Sequence, residues 1–183
     1  MDIAENIRYP IGRQEDQPIS KEDFTESVKS SLLIDIKMLP TSLEMAILNL
    51  DADQLNTPYR PDGWTLNQLV HHVADSHMNA YVRFKLGLTE NEPVIKPYDQ
   101  DSWALLDDPN TVPINVSLTL LHALHTRWYT LMKSMTEEQW QRTIFHPEMK
   151  KPITLWELLK TYAWHGKHHV AQITSLRNRL NWY

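Results

Sequence analysis

Apolar positions recur at three- and four-residue spacing along four long stretches of the chain, and the segments between them are rich in turn-forming residues. The first stretch runs from Ser20, with Phe24, Val28, Leu32, Ile36 and Leu39 on one stripe. Pro40 then predicts a kink or a new helical half carrying Leu43, Ala46 and Leu50. Asp51 to Leu55 reads as a short turn of helix ended by TPYRPDG. Thr65 with Gln68 has the pattern of a capping box and opens the second long helix, whose core stripe includes Leu69, Val73, Ala80 and Phe84. The third helix, about Asn115 to Met135, is expected to bury Leu120, Leu121, Leu124, Trp128 and Leu131. Thr136 with Gln139 caps another brief turn, and Thr154 with Glu157 opens the last helix, which runs to about Arg179.

The remaining segments are read as connections. Residues 1–19 show no period and predict an extended arm. Residues 89–113 contain Pro93, Pro97, Pro109 and Pro113 and form a long crossover, with one short helix expected over Tyr98 to Leu106. An irregular segment runs through Phe145, Pro147 and Pro152. DADQLNTPYRPDGWT and TEEQWQRTIFHPEMKKPIT echo one another, each passing from a short helix through a turn to a capping Thr and a His-bearing helix. The prediction is an all-α four-helix bundle with long crossover connections, in a single domain spanning residues 1–183.

Composition narrows the function. Only 4 Gly among 183 residues disfavours glycine-dependent hairpins and dinucleotide-binding loops. A net charge of −5 supplies no basic field for nucleic acid or anionic lipid, so neither partner is expected. With no Cys, disulfides, thiolate metal sites and a catalytic thiol are excluded, and any metal must take nitrogen or oxygen ligands. The acidic, Pro-interrupted N-terminus lacks the basic start and apolar run of a secretory signal, and no stretch is long and apolar enough to span a bilayer. A cytoplasmic location is expected.

Nine histidines carry the candidate chemistry. The apolar stripe of the last helix passes through Leu155, Leu158 and Tyr162 to His165 and His169, then to Gln172, Leu176 and Leu180. An i, i+4 pair presents both imidazoles on one face, the spacing with which HExxH helices hold zinc. Here residue 166 is Gly, so the general-base Glu of that motif is missing and zincin proteolysis is disfavoured. HxxxH alone more often marks two buried, hydrogen-bonded histidines, and a third ligand is needed to reverse that reading.

Helical phase selects a third ligand from HHVADSH. His72 falls on the core face with Leu69, Val73 and Ala80. His71 aligns with Asn67, Asp75 and Met78, facing solvent or pairing with Asp75, and His77 lies along a border. Three imidazoles with an open fourth position are the arrangement of a catalytic rather than a structural zinc. His168, His122, His125 and His146 read as surface or pocket-lining residues. Trp64, Trp128, Trp156 and Trp164 read as core and capping residues rather than a substrate box. Asp75 is a weak candidate for orienting a ligand or acting as base, and Arg83 and Arg127 for binding an anionic substrate. No catalytic base is assigned.

TPYRPDGWTLNQLVHHVADSHMNAYVRFKL, LLHALHTRW, FHPE and YAWHGKHHVAQI, with the RYPIG arm, together resemble the DinB-like superfamily, in particular its YfiT-like branch of metal-dependent hydrolases. The resemblance spans nearly the whole chain and rests on the order GWT, HHxxD, HxxxH. It implies a four-helix bundle of unusual connectivity and a homodimer. It also implies one divalent ion, zinc or nickel, on His72, His165 and His169. Relatives include transferases of low-molecular-weight thiols such as bacillithiol, so hydrolysis and thiol transfer to a small-molecule substrate both stand. Gln172 departs from the pattern, since some relatives are expected to carry a further histidine there. The rival from another class is a non-catalytic metal-binding bundle or haem carrier, and three histidines converging on one point fit a small ion better than a haem.

Overall fold

The structure, a computed structural model, describes residues 3–16 and 23–182. Residues 1, 2 and 17–19 of the expected arm, and the expected helix start at Ser20, lie outside them. The described part of the arm is not extended. It forms a short helix α1 (Ile3–Arg8) and a 3-10 turn at Gln14–Asp16. Tertiary contacts hold it there, because the Arg8 carbonyl accepts from Gln172 Nε2 at 2.9 Å and the Tyr9 ring lies 5.6 Å from that of His168.

Four long helices form the body: α2 (Glu26–Ile47), then, after α3 (Ala52–Leu55), α4 (Leu66–Thr89), and, after α5 (Gln100–Ala104) and α6 (Asp108–Thr111), α7 (Ile114–Lys133). The short helix α8 (Glu137–Trp140) and a hairpin of β1 (Thr143–His146) and β2 (Lys151–Thr154) precede α9 (Leu155–Leu180). Thr65, Thr136 and Thr154 each make the expected reciprocal capping box, and Asp51 makes another at α3. The two echoing segments therefore share their caps.

Packing order differs from chain order. Helix α2 packs on α7 and α9, and α4 packs on the same two helices, so the ring around the bundle runs α2, α7, α4, α9. Consecutive long helices α2 and α4, and likewise α7 and α9, sit on diagonals, which is why the connections between them must cross the bundle.

Four details depart from expectation. Pro40 neither ends nor divides α2, although it removes the N–H that would pair with Ile36. Segment 143–154 is an antiparallel hairpin, with Ile144 opposite Ile153 and both buried in the core. It is extended further by Phe145, which bonds Pro93 and Ile95 across the long crossover. That crossover contains α6 as well as the expected α5. In α7, Leu118 is buried and Leu120 is exposed, a shift of the stripe that brings Ser117, Leu118, Leu121 and Leu124 inward.

Leu180 at the end of α9 is exposed, and Phe24, Val28, Leu32, Leu50 and Leu131 are half-buried, whereas the remaining apolar positions of the expected stripes, Leu120 aside, are buried. Ile36, Leu43, Leu69, Val73, Ala80, Phe84, Leu121, Trp128 and Leu155 are fully buried. One apolar cluster, around Phe84, Trp128, Trp140 and Trp156, fills one end of the bundle. A second, around Leu43, Leu66, Leu69, Leu121 and Ile173, fills the other. The histidines lie between them. Among the described residues, no helix is long and apolar enough to cross a membrane.

Candidate metal centre

His72 projects from α4 and His165 and His169 from successive turns of α9, and these three are brought together. His165 Nε2 lies 3.3 Å from His72 Nε2 and 3.1 Å from His169 Nε2. The ligand nitrogens of all three lie within 4.8 Å of one another. For Zn–N bonds of about 2.0–2.1 Å at a tetrahedral angle, two ligand nitrogens stand about 3.3 Å apart. The two spacings from His165 match that requirement, and His72 and His169 lie within 4.8 Å of each other.

The hydrogen bonds fix which nitrogen carries the lone pair. Gln172 Nε2 donates to the Arg8 carbonyl, an acceptor only, so its Oε1 must be the atom facing His169 Nδ1 at 2.8 Å. His169 therefore donates from Nδ1 and holds a bare lone pair at Nε2. That lone pair points at His165 Nε2. Burial, and after it the neighbouring imidazoles, hold His72, His165 and His169 well below the ordinary imidazole range, so all three stay neutral. Neutral imidazole nitrogens converging at 3.1 and 3.3 Å form a donor set suited to one small cation.

The cluster opens into a cavity of about 460 Å³, whose wall also includes Trp64, Trp164, His168, Tyr9, Arg8 and Arg60. The Trp64 ring lies 4.4 Å from that of His72, and Trp164 stacks on His168 at 4.6 Å. Trp64 is set by the turn before α4, where Tyr59 N–H donates to the Trp64 carbonyl and Gly63 N–H to that of Arg60. Both indoles thus line the cavity, unlike Trp128 and Trp156, which belong to the core as expected.

Other expectations change. His71 does not face solvent. It is buried, with Nδ1 2.8 Å from Ser117 Oγ and Nε2 3.0 Å from the Val112 carbonyl, because the long crossover covers that side of α4. His77 is fully buried rather than on a border, with Nε2 3.2 Å from His165 Nδ1. Its spacing of three and seven from Ala74 and Val70 carried that signal, since both are core residues. His125 is buried too, whereas His122 is exposed and pairs with Glu44. His168 lines the cavity, and burial pushes it down to about 4. Asp75 stands outside the cavity wall, near Asp108, where burial and then that charge push it up to about 6. Arg83 donates to the Tyr162 hydroxyl at 2.8 Å, and Arg127 lies over the Tyr81 ring. The carboxylates that line the cavity are Asp62 and Asp101, both exposed.

A four-helix bundle with three imidazoles from two of its helices converging on one point defines a class of metal-site bundle. The DinB superfamily matches residues 36–173, and the chain belongs to that superfamily. Proteins from Bacillus cereus strain 03BB102 and Bacillus thuringiensis subsp. konkukian strain 97-27, each named "putative metal-dependent hydrolase", are 49% identical to it over 177 residues. These cover 97% of this chain and 99% of each relative. The structure of YfiT from Bacillus subtilis, described as a probable metal-dependent hydrolase with an unusual four-helix bundle topology, matches with a TM-score of 0.92 at 43% identity. That match covers 97% of this chain and 99% of YfiT.

Proposed function

We propose that the chain is a metal-dependent hydrolase in which His72, His165 and His169 hold one divalent ion, zinc first and nickel second. The observation that carries this reading is the convergence of three neutral imidazole nitrogens on an open cavity, all within 4.8 Å of one another and with His165 Nε2 at 3.3 and 3.1 Å from the other two. His72, His165 and His169 would hold the ion, which when bound would supply Lewis acidity of the kind that lowers the pKa of water to about 7. The protein's own groups bind and orient. Trp64 and Trp164 give the small-molecule substrate apolar walls, and Arg8 and Arg60 at the rim receive an anionic part of it. We assign no general base.

The same ligand set serves thiol transfer of the bacillithiol kind, so the test separates the two. Metal content of purified protein is measured by elemental analysis, followed by chelator-sensitive turnover of ester and amide panels, with a parallel arm offering a low-molecular-weight thiol and an electrophile. One ion per chain with hydrolysis of an ester or amide supports the reading. Turnover only in the thiol arm replaces hydrolase by transferase, and protein that takes up no divalent ion refutes both. A cytoplasmic homodimer completes the proposal. The dimer's support is the exposed apolar stripe of Ile34, Met38 and Met45 on α2, continued by Leu48 at its C-cap, and solution mass by light scattering checks it.

A further inference from the structure

We infer that His77 is a positioning residue for His165, anchored through a chain of contacts that Pro40 makes possible; the inference rests on the three-histidine reading above. In an α-helix the carbonyl of residue 36 accepts from the N–H of residue 40, but Pro40 has none. Ile36 is fully buried, so its carbonyl needs another donor. His125 Nδ1 supplies it at 2.5 Å from the neighbouring helix. A carbonyl only accepts, so the proton of neutral His125 sits on Nδ1 and the tautomer is set.

The His125 ring stacks on that of His77 at 5.0 Å with an interplanar angle of 23°, and Trp128 and Tyr162 meet His77 edge-on at 5.8 and 5.3 Å. His77 is therefore held on three sides and aims Nε2 at His165 Nδ1, 3.2 Å away. A ligand role for His165 Nε2 requires its single ring proton on Nδ1, which then donates to His77 Nε2. The partner of a ligand imidazole fixes its tautomer and ring orientation.

One residue comes from each long helix, Ile36 of α2, His125 of α7, His77 of α4 and His165 of α9, in the order in which the helices pack. Packing alone does not account for the pair. His77 Nδ1 and His125 Nε2 are buried without a hydrogen-bond partner among the described residues, a cost that an apolar pair in the same space would not carry.

The test compares wild type, His77→Phe, His77→Gln and Pro40→Ala, each stripped of metal and titrated with zinc against a competing chelator, with helical circular dichroism of the apo forms. We expect His77→Phe to lose roughly 10- to 100-fold in zinc affinity at unchanged helicity. His77→Gln, whose Oε1 can accept the His165 proton, should recover most of that loss. Pro40→Ala returns an N–H to the Ile36 carbonyl and should bind zinc several-fold more weakly despite a better helix. Wild-type affinity in folded His77→Phe overturns the inference, and so does equal weakness of Phe and Gln, which would assign the loss to packing. If His77→Phe fails to fold, wild-type affinity in Pro40→Ala overturns it instead. Wild-type protein that takes up no zinc would refute the ligand reading itself, a distinguishable result.

Discussion

His169 donates its Nδ1–H to Gln172 Oε1 at 2.8 Å, and the orientation of that amide is set by the N-terminal arm, through the Arg8 carbonyl. Gln172 occupies the position where some relatives are expected to carry a further histidine, and here its amide accepts from His169, one of the three proposed ligands. Its Nε2 also lies 2.9 Å from His168 Nε2, so one amide ties together a member of the histidine cluster, a wall of the cavity and the arm.

Gln172→Leu is therefore expected to keep the three imidazoles but leave the Nδ1–H of His169 without an acceptor. Loss of such a partner weakens metal affinity by roughly 10- to 100-fold. Competitive zinc titration checks this, and an unchanged affinity would show that α9 alone orients His169.

His169→Ala should abolish stoichiometric zinc binding while leaving helical circular dichroism close to that of wild type. The reason lies in the two apolar clusters, which fill both ends of the bundle without the ion, and in the capping boxes that start α4 and α9 independently of it. Unfolding of this variant, or of chelated wild type, would make the ion structural.

Gly166 stands where an HExxH motif has its Glu. A Cβ built there would lie 2.6 Å from Leu39 Cδ2 and 2.8 Å from its Cδ1, so the residue is small because α2 and α9 approach closely at this turn. A side chain at 166 would point at α2 and not toward the cluster. Gly166→Ala gains about 1 kcal/mol of helix propensity but meets an overpacking cost of about 1–3 kcal/mol, since Leu39 is itself buried. We expect a lower thermal midpoint with zinc binding retained, and a raised midpoint would show that Leu39 can rotate away.

The long helices and the three clustered histidines were legible because helical phase is a local property. Leu69, Val73 and His72 share a face whatever surrounds them, and the HxxxH pair lies on the stripe of Leu158 and Tyr162. What could not be read depends on contacts between helices. That Pro40 leaves a carbonyl for His125 requires the register of α2 against α7. That His71 is covered requires the path of residues 108–112. Strand pairing of Ile144 with Ile153 was masked by Pro147 and Pro152, which broke the expected alternation, although Pro152 lies at the hairpin's exposed end.

Stability of the metal-free protein should fall with acidification. His125 is the clearest case: burial pushes it from the ordinary 6.5 down to about 4, outweighing the hydrogen bond to Ile36, which acts in the opposite sense. Between those values the unfolded chain binds a proton that the native state does not, and stability rises with pH wherever the unfolded state binds more protons. Lowering the pH from about 6.5 to about 4 thus removes about 1.4 kcal/mol per unit, on the order of 3 kcal/mol from this residue alone. His72, His77, His165 and His169 are shifted in the same direction by burial, so their contributions add to the loss. Denaturant titrations of chelated protein at pH 7.5 and 5.5 should show a lower midpoint at the acidic value, and His125→Phe should flatten the dependence. A midpoint that rises on acidification would mean that the buried imidazoles take up protons in the folded protein, and the neutral donor set on which the metal site rests would be lost with it.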